Sequence, residues 1–85
     1  MYQITKIHNK ERKVIDSNLT LQQANALLEE YHTIEECTIG HRPSPIVTLR
    51  STTMLNSFVV DHSRTHTIYQ IEEDVFNDIC NLLKN

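Results

Sequence analysis

Two pairs of residues in the middle of the sequence have the types and the spacing of zinc ligands. Three residues separate Cys37 from His41, and three separate His62 from His66. Zinc prefers four nitrogen or sulfur ligands that short turns hold in a tetrahedron. The two pairs lie far apart in the chain, however, and neither is a Cys-x2-Cys knuckle, so no such geometry is specified. We therefore predict a buried thiol and solvated histidines, with no metal and no other cofactor.

A second chemical feature is the dipeptide Asp61-His62, which lies among hydroxyl side chains that could act as nucleophiles. A hydrolytic site needs a nucleophile, a base and an orienting group within hydrogen-bond reach. Serine and threonine are frequent throughout residues 44–67, so a hydroxyl near a histidine carries little information. Gly40 is the only glycine, which excludes a Gly-x-Ser-x-Gly turn and a phosphate-cradling loop. We predict a protein that is not an enzyme, with a small hydrolase using His62 or His66 as the alternative.

The third feature is a basic middle segment in a chain whose formal net charge is −3. Residues 41–71 contain three arginines and only one acidic residue, Asp61. If the loops of this segment converge, its cations can form a patch that binds nucleic acid or another anion. The candidate binding residues are His41, Arg42, Arg50, His62, Arg64 and His66. Acidic residues at 29–36 and 72–78 could instead face a basic protein partner, but helix N-termini and exposed helix faces are commonly acidic for local reasons, and that explanation is preferred for this feature alone.

Nothing in the sequence indicates a membrane or an oxidising compartment. No stretch reaches the roughly 18 apolar residues of a membrane-spanning helix. Residues 1–14 are basic but lack the apolar segment of a secretion signal. Cys37 and Cys80 are too few for a disulfide framework. We therefore expect a soluble cytoplasmic protein with reduced thiols.

The first half of the chain is predicted to form a hairpin and a helix. β-prone residues at 2–7 and 13–16 flank a polar stretch, which is typical of two strands joined by a turn. Thr20 and Gln23 have the spacing of a capping box, which starts a helix. The predicted helix covers residues 21–32, because apolar residues recur there at helical spacing: Leu21, Ala24, Leu27, Leu28 and Tyr31.

The second half is predicted to contain several short strands and a second helix. Strands are expected at residues 37–39, 46–50, 58–60 and 67–71, and the last two form a second hairpin. Two prolines make residues 41–45 a loop, and residues 51–57 are read as another loop. A helix is expected near the C-terminus, because apolar residues again recur at helical spacing: Val75, Phe76, Ile79, Leu82 and Leu83.

These elements predict an α+β fold in a single domain over residues 1–85. Two amphipathic helices would cover a mostly antiparallel sheet of about five or six short strands, as a two-layer sandwich. A domain of this size without a catalytic motif is expected to be a small non-catalytic binding or regulatory protein. It would act through protein–protein contacts, and a homodimer is compatible with this reading. The size also suits a prokaryotic or phage accessory or inhibitor protein.

Overall fold

The computed structural model describes residues 1–46, 55–62, 64–75, 79 and 82–83. Within them the chain forms strands β1 (Tyr2–His8) and β2 (Glu11–Leu19), helix α1 (Leu21–Ile39), and strands β3 (Ser57–His62) and β4 (Thr65–Glu73). The strands make one antiparallel sheet in the order β2-β1-β4-β3. α1 packs on one face of this sheet. The predicted α+β class with an antiparallel sheet is confirmed.

Both predicted hairpins are present, and their strands are longer than predicted. The β1–β2 turn has positive φ at both central residues, 49° at Asn9 and 75° at Lys10, as a type I′ turn requires. β1 and β4 are the two central strands and pair antiparallel, with Ile4 opposite Ile71 and His8 opposite Thr67. Because of this pairing, the two hairpins lie side by side and their turns are at the same end of the sheet.

α1 begins at the predicted position. The Thr20 hydroxyl accepts a hydrogen bond from the Gln23 amide over 3.1 Å, and the Gln23 side chain accepts one from the Thr20 amide over 2.9 Å. This confirms the capping box, which satisfies two amide groups that have no partner within the helix.

The predicted end of the helix at residue 32 is wrong. The helix continues to Ile39, and residues 37–39, which were predicted to be a strand, form its last turn. The helix continues through Thr33 because its later turns have tertiary partners: Ile39 packs against the core, and the Glu35 carboxylate accepts a hydrogen bond from the Tyr69 hydroxyl. The helix ends instead at Gly40, which has a φ of 77° and donates its amide to the carbonyl of Glu36.

The core lies between α1 and the facing side of the sheet. Its buried members are Ile4, Ala24, Leu28, Phe58, Val60, Tyr69 and Ile71. The rings of Phe58 and Tyr69 are stacked with centroids 4.8 Å apart, and Tyr31 of α1 stacks on Tyr69 at 5.4 Å. The Tyr31 hydroxyl donates to the Asp16 carboxylate, and this bond, together with burial, raises the pKa of Tyr31 to about 12. The same contact ties α1 to β2.

The predicted number of elements needs correction. In the described part of the chain the sheet has four strands instead of five or six, and α1 is the one helix packed on it. Ile46 is not in a strand, and the rest of the predicted strand at 46–50 lies outside the described residues. Most of the predicted loop at 51–57 lies outside them as well, and Ser57 already belongs to β3.

The second predicted helix is helical at its four described positions, but its side chains do not cover the sheet. Val75, Ile79, Leu82 and Leu83, which we call the C-terminal stripe, are 53%, 49%, 75% and 82% exposed. A helix packed on the sheet would bury such a stripe, so this part of the prediction is wrong for these residues. Phe76 and Cys80 lie outside the described residues. No described helical segment has the length and apolar character needed to cross a membrane.

Candidate binding surfaces

The two hairpin turns meet the end of α1 at one end of the sheet. We call residues 8–11, 41–42, 61–62 and 64–66 the hairpin-tip end. The Asn9 amide donates to the His66 carbonyl over 2.9 Å, and the His66 amide donates to the Asn9 side-chain oxygen over 3.0 Å. Gly40 ends α1 here, so His41 lies beside His62, with ring centroids 6.3 Å apart. Three separate parts of the sequence therefore contribute to this surface.

The predicted anion-binding residues come together only in part. Of the six, His41 and His62 are in contact, and Arg64 lies exposed in the β3–β4 turn. Arg42 is 3.4 Å from the Glu36 carboxylate. The ring of His66 is 2.5 Å from the carboxylate of Asp61, the residue opposite it on β3. These two carboxylates reduce the net positive charge of the surface. The remaining candidate, Arg50, lies outside the described residues.

Sequence reasoning missed His8 and Lys10 at this end. The His8 ring nitrogen Nδ1 is 2.8 Å from the Thr67 hydroxyl, and Lys10 occupies the second central position of the β1–β2 turn. Asn9 was an available signal for this tight turn, because asparagine tolerates positive φ. That the turn lies beside the β3–β4 turn depends on the pairing of β1 with β4, which no local pattern reveals.

The hydroxyl groups near His62 and His66 already have other partners. The Thr65 hydroxyl donates to the main-chain carbonyl of His62 over 2.8 Å, and the Thr67 hydroxyl is bonded to the His8 ring. Ser63 lies outside the described residues. Cys37 was predicted to be buried, but it lies in the last turns of α1 and is exposed. Among the described residues, no group of three or more His, Cys, Asp or Glu side chains could hold a metal ion.

The sheet face opposite α1 has no helix over it in the part of the chain that the structure describes, and we call it the open face. The strand register places Ile7, Ile68 and Val59 in one row across β1, β4 and β3, and all three are half-buried. Arg12 and Val14 of β2 continue this face, and Val14 is 49% exposed. None of these side chains belongs to the core. The open face is therefore an apolar row with exposed neighbours.

The carboxylate of Glu72 organises the polar part of the open face. It accepts hydrogen bonds from four side chains: Gln3, Thr5, Arg12 and Gln70. The Arg12 bonds, at 2.8 and 2.6 Å, form an ion pair. Burial raises the pKa of Glu72, but the four donors outweigh it and the pKa is lowered from its ordinary value. The charged form of Glu72 is therefore stabilised by hydrogen-bond donors on both carboxylate oxygens.

A cleft of about 540 Å³ lies between α1 and the loop at residues 42–46. It is lined by Asn25, Ala26, Glu29, His32, Arg42, Pro43, Pro45, Ile46 and Asn56. The loop is fixed to β3, because the Ser44 amide donates to the Val59 carbonyl and the Ser44 hydroxyl accepts from the Val59 amide. At Val59, therefore, the outer edge of β3 is already hydrogen-bonded and is not free to pair with another strand.

The chain matches no protein-family model, no curated protein and no solved structure. The function is therefore inferred from the surfaces of the molecule itself. Two of them stand out: the hairpin-tip end, which collects histidines and cations, and the exposed C-terminal stripe.

Proposed function

We propose that this chain is a non-catalytic protein-binding protein and that the C-terminal stripe is its contact surface. The observation that carries the proposal is the exposure of four apolar side chains at helical spacing, from 49% at Ile79 to 82% at Leu83. Single exposed apolar residues are common, but a contiguous group of them usually marks an interaction site. An amphipathic helix typically binds by laying such a stripe into an apolar groove of its partner.

The charge around the stripe favours a partner with basic residues near its groove. Glu73 and Asp74 directly precede Val75 in the chain, and Asp78 falls within the same segment. Electrostatic complementarity raises association rates and discriminates between partners more than it raises affinity. Binding should therefore weaken moderately as the salt concentration rises, without being lost.

The test is an affinity capture from the native cell with the unmodified chain and the variant Leu82→Asp/Leu83→Asp. Ile34→Asp is the matched control, since Ile34 is an apolar residue on the exposed side of α1, 56% exposed. We expect a stoichiometric protein, either a different protein or another copy of this chain, with the unmodified chain and the control, and its loss with the double variant. Recovery of nucleic acid alone, or equal recovery with all three proteins, would contradict the proposal.

A second candidate function, anion binding at the hairpin-tip end, is favoured by the conformation of Lys10. A φ of 75° is unfavourable for a residue with a side chain, and glycine is preferred at this turn position. Strained residues tend to occur where a side chain is needed for function. The turn places this cation at the hairpin-tip end, to which His8, Arg64 and His66 also belong, a combination that suits the phosphates of a nucleic acid.

Binding of a fluorescent single-stranded oligonucleotide at several salt concentrations tests this second function. Lys10→Gly combined with Arg64→Ala should weaken binding about tenfold or more and flatten its salt dependence, because two phosphate contacts are removed. Lys13→Ala, which removes a lysine from β2 outside this surface, is the control and should bind as the unmodified chain does. Absence of binding at low salt, or equal loss in the control, would exclude this function.

A further inference from the structure

Two apolar surfaces of this chain lack a cover in the described residues, and one is a sheet face while the other is helical. One is the row of Ile7, Ile68 and Val59 on the open face. The other is the C-terminal stripe, which is helical at each described position. A sheet face and an amphipathic helix are the two kinds of surface that pack against each other in a two-layer fold. α1 already covers the opposite face of the sheet in this way.

Within one chain the two surfaces do not meet. If the stripe lay on the open face, its side chains would be buried, yet Leu82 and Leu83 are 75% and 82% exposed. The chain leaves the sheet at Asp74, whose amide donates to the carbonyl of Met1 over 2.9 Å. This bond fixes the exit at the end of the sheet opposite the hairpin-tip end. The stripe is therefore presented to another molecule.

We propose that the other molecule is a second copy of this chain, and that two copies pair reciprocally. The C-terminal stripe of each copy lies on the open face of its partner. A two-fold arrangement satisfies both surfaces of both copies at once, since a closed dimer places the same pair of patches in contact twice. This inference rests on the proposed function, because it uses the same stripe and names the protein that the stripe binds.

The charges beside the two surfaces agree with this pairing. Arg12 borders the apolar row, and its side chain is 57% exposed although it pairs with Glu72. Its remaining N–H groups can meet the acidic residues that precede the stripe, of which Glu73 is exposed. The Glu72 carboxylate already accepts bonds from four side chains, so a partner helix laid over it would leave no unpaired charge.

The first test is the mass of the chain in solution, measured by light scattering after gel filtration over a range of concentrations. We expect twice the 9.9 kDa of one chain. Val14→Asp should give the single-chain mass, because it puts a charge on the open face, and so should Leu82→Asp/Leu83→Asp. Val14 is 49% exposed on an edge strand, so this variant should still fold, as far-ultraviolet circular dichroism would show. Ile34→Asp on α1 is the control and should keep the double mass.

The second test distinguishes helix-on-sheet pairing from the other ways in which two copies could meet. A mixture of Val14→Asp and Leu82→Asp/Leu83→Asp retains one intact stripe and one intact open face. It should therefore form a mixed dimer that neither variant forms alone. If two stripes paired with each other, Val14→Asp alone would keep the double mass, and if two open faces paired, Leu82→Asp/Leu83→Asp alone would keep it. Either of these results, or a mixture that stays monomeric, would overturn the inference.

A single-chain mass for the unmodified protein at the highest concentration would also overturn the inference. That outcome would leave the proposed function standing if the cellular capture still recovered a different protein through the stripe. If instead the stripe variant changed neither the mass nor the capture, both proposals would fail. The two failures are thus distinguishable.

Discussion

At the scale of single residues, two side chains are held in unusual circumstances. Glu72 keeps its charge on a half-buried sheet face because four donors surround its carboxylate. Lys10 adopts a left-handed backbone conformation that is unfavourable for any residue with a β-carbon. The first arrangement stabilises the fold and the second opposes it. Each leads to a measurement that needs no knowledge of the protein's partner.

Glu72→Gln should lower the free energy of unfolding at neutral pH by about 1–3 kcal/mol, because it removes the charge and turns one of the two acceptor oxygens into an NH2 donor. The pKa of Glu72 is lower in the folded chain than its ordinary value of 4.5. Its contribution is therefore present above about pH 4.5 and is lost as the pH falls through the folded value. Denaturant unfolding at several pH values should show the difference between the two proteins narrowing in acid.

The neighbouring residue provides the control for this experiment. Glu73→Gln changes an exposed carboxylate one position further along β4 and should alter stability by less than about 0.5 kcal/mol. If this variant lost as much stability as Glu72→Gln, the effect would come from net charge and not from the hydrogen bonds of Glu72.

Lys10→Gly should raise the free energy of unfolding by about 1 kcal/mol, because glycine adopts a positive φ without steric cost. Lys13→Gly is the matched control and should lower it by about 0.5–1 kcal/mol, since residue 13 lies within β2. Thermal unfolding of both variants tests the pair. An equal loss of stability in both would mean that Lys10 makes a contact that compensates for its strain.

At the scale of elements, α1 connects the core of the molecule with the hairpin-tip end. Its buried side packs on the sheet, and its last turn carries the chain to the hairpin-tip end. Gly40 controls that exit, because it is the one residue at which the helix turns into the left-handed conformation. A longer or shorter helix would move His41 away from His62, whose ring lies 6.3 Å from it.

Gly40→Ala should cost about 1–2 kcal/mol of stability. A β-carbon added at this position would meet no atom within 4 Å, so the whole cost comes from the backbone conformation and not from a clash. Gly40→Asn should cost less, because asparagine tolerates the left-handed region. Chemical denaturation gives both values. The same loss in both variants would point to a steric origin that the structure does not contain.

At the scale of the whole molecule, the sheet has two central strands and two edges. β1 and β4 pair with each other and so join the two hairpins, while β2 forms one edge and β3 the other. The β3 edge is partly occupied by Ser44. The most persistent hydrogen bonds are therefore expected between the first and the last strand of the sheet, which are far apart in sequence.

Hydrogen–deuterium exchange should reveal this order directly. Amides of β1 and β4 should exchange most slowly, because both strands are paired on both sides. Amides of β2 that face away from β1 should exchange faster. Protection of these outer β2 amides equal to that of β1 would mean that another strand pairs with the β2 edge, which the proposed helix-on-sheet dimer does not involve.

The sequence by itself determined the local elements whose signals lie close together in the chain. The capping box of Thr20 and Gln23, the two hairpins and the antiparallel α+β class were all predicted from neighbouring residues. Local signals were less reliable where two of them competed. The apolar spacing predicted a helix only to residue 32 and residues 37–39 were read as a strand, whereas the helix ends at Gly40. The helix continues because its later turns pack on the rest of the molecule, with Ile39 against the core and Glu35 accepting from the Tyr69 hydroxyl.

Only the tertiary structure decided which surfaces are covered and which residues meet. The apolar spacing after Val75 indicated a helix, but spacing alone does not say whether a stripe packs on its own sheet or faces outward. The hairpin-tip end likewise depends on the pairing of β1 with β4, which brings His8 and Lys10 next to residues of the second hairpin. Both outcomes follow from contacts between distant parts of the chain, and periodicity within one segment carries no information about them.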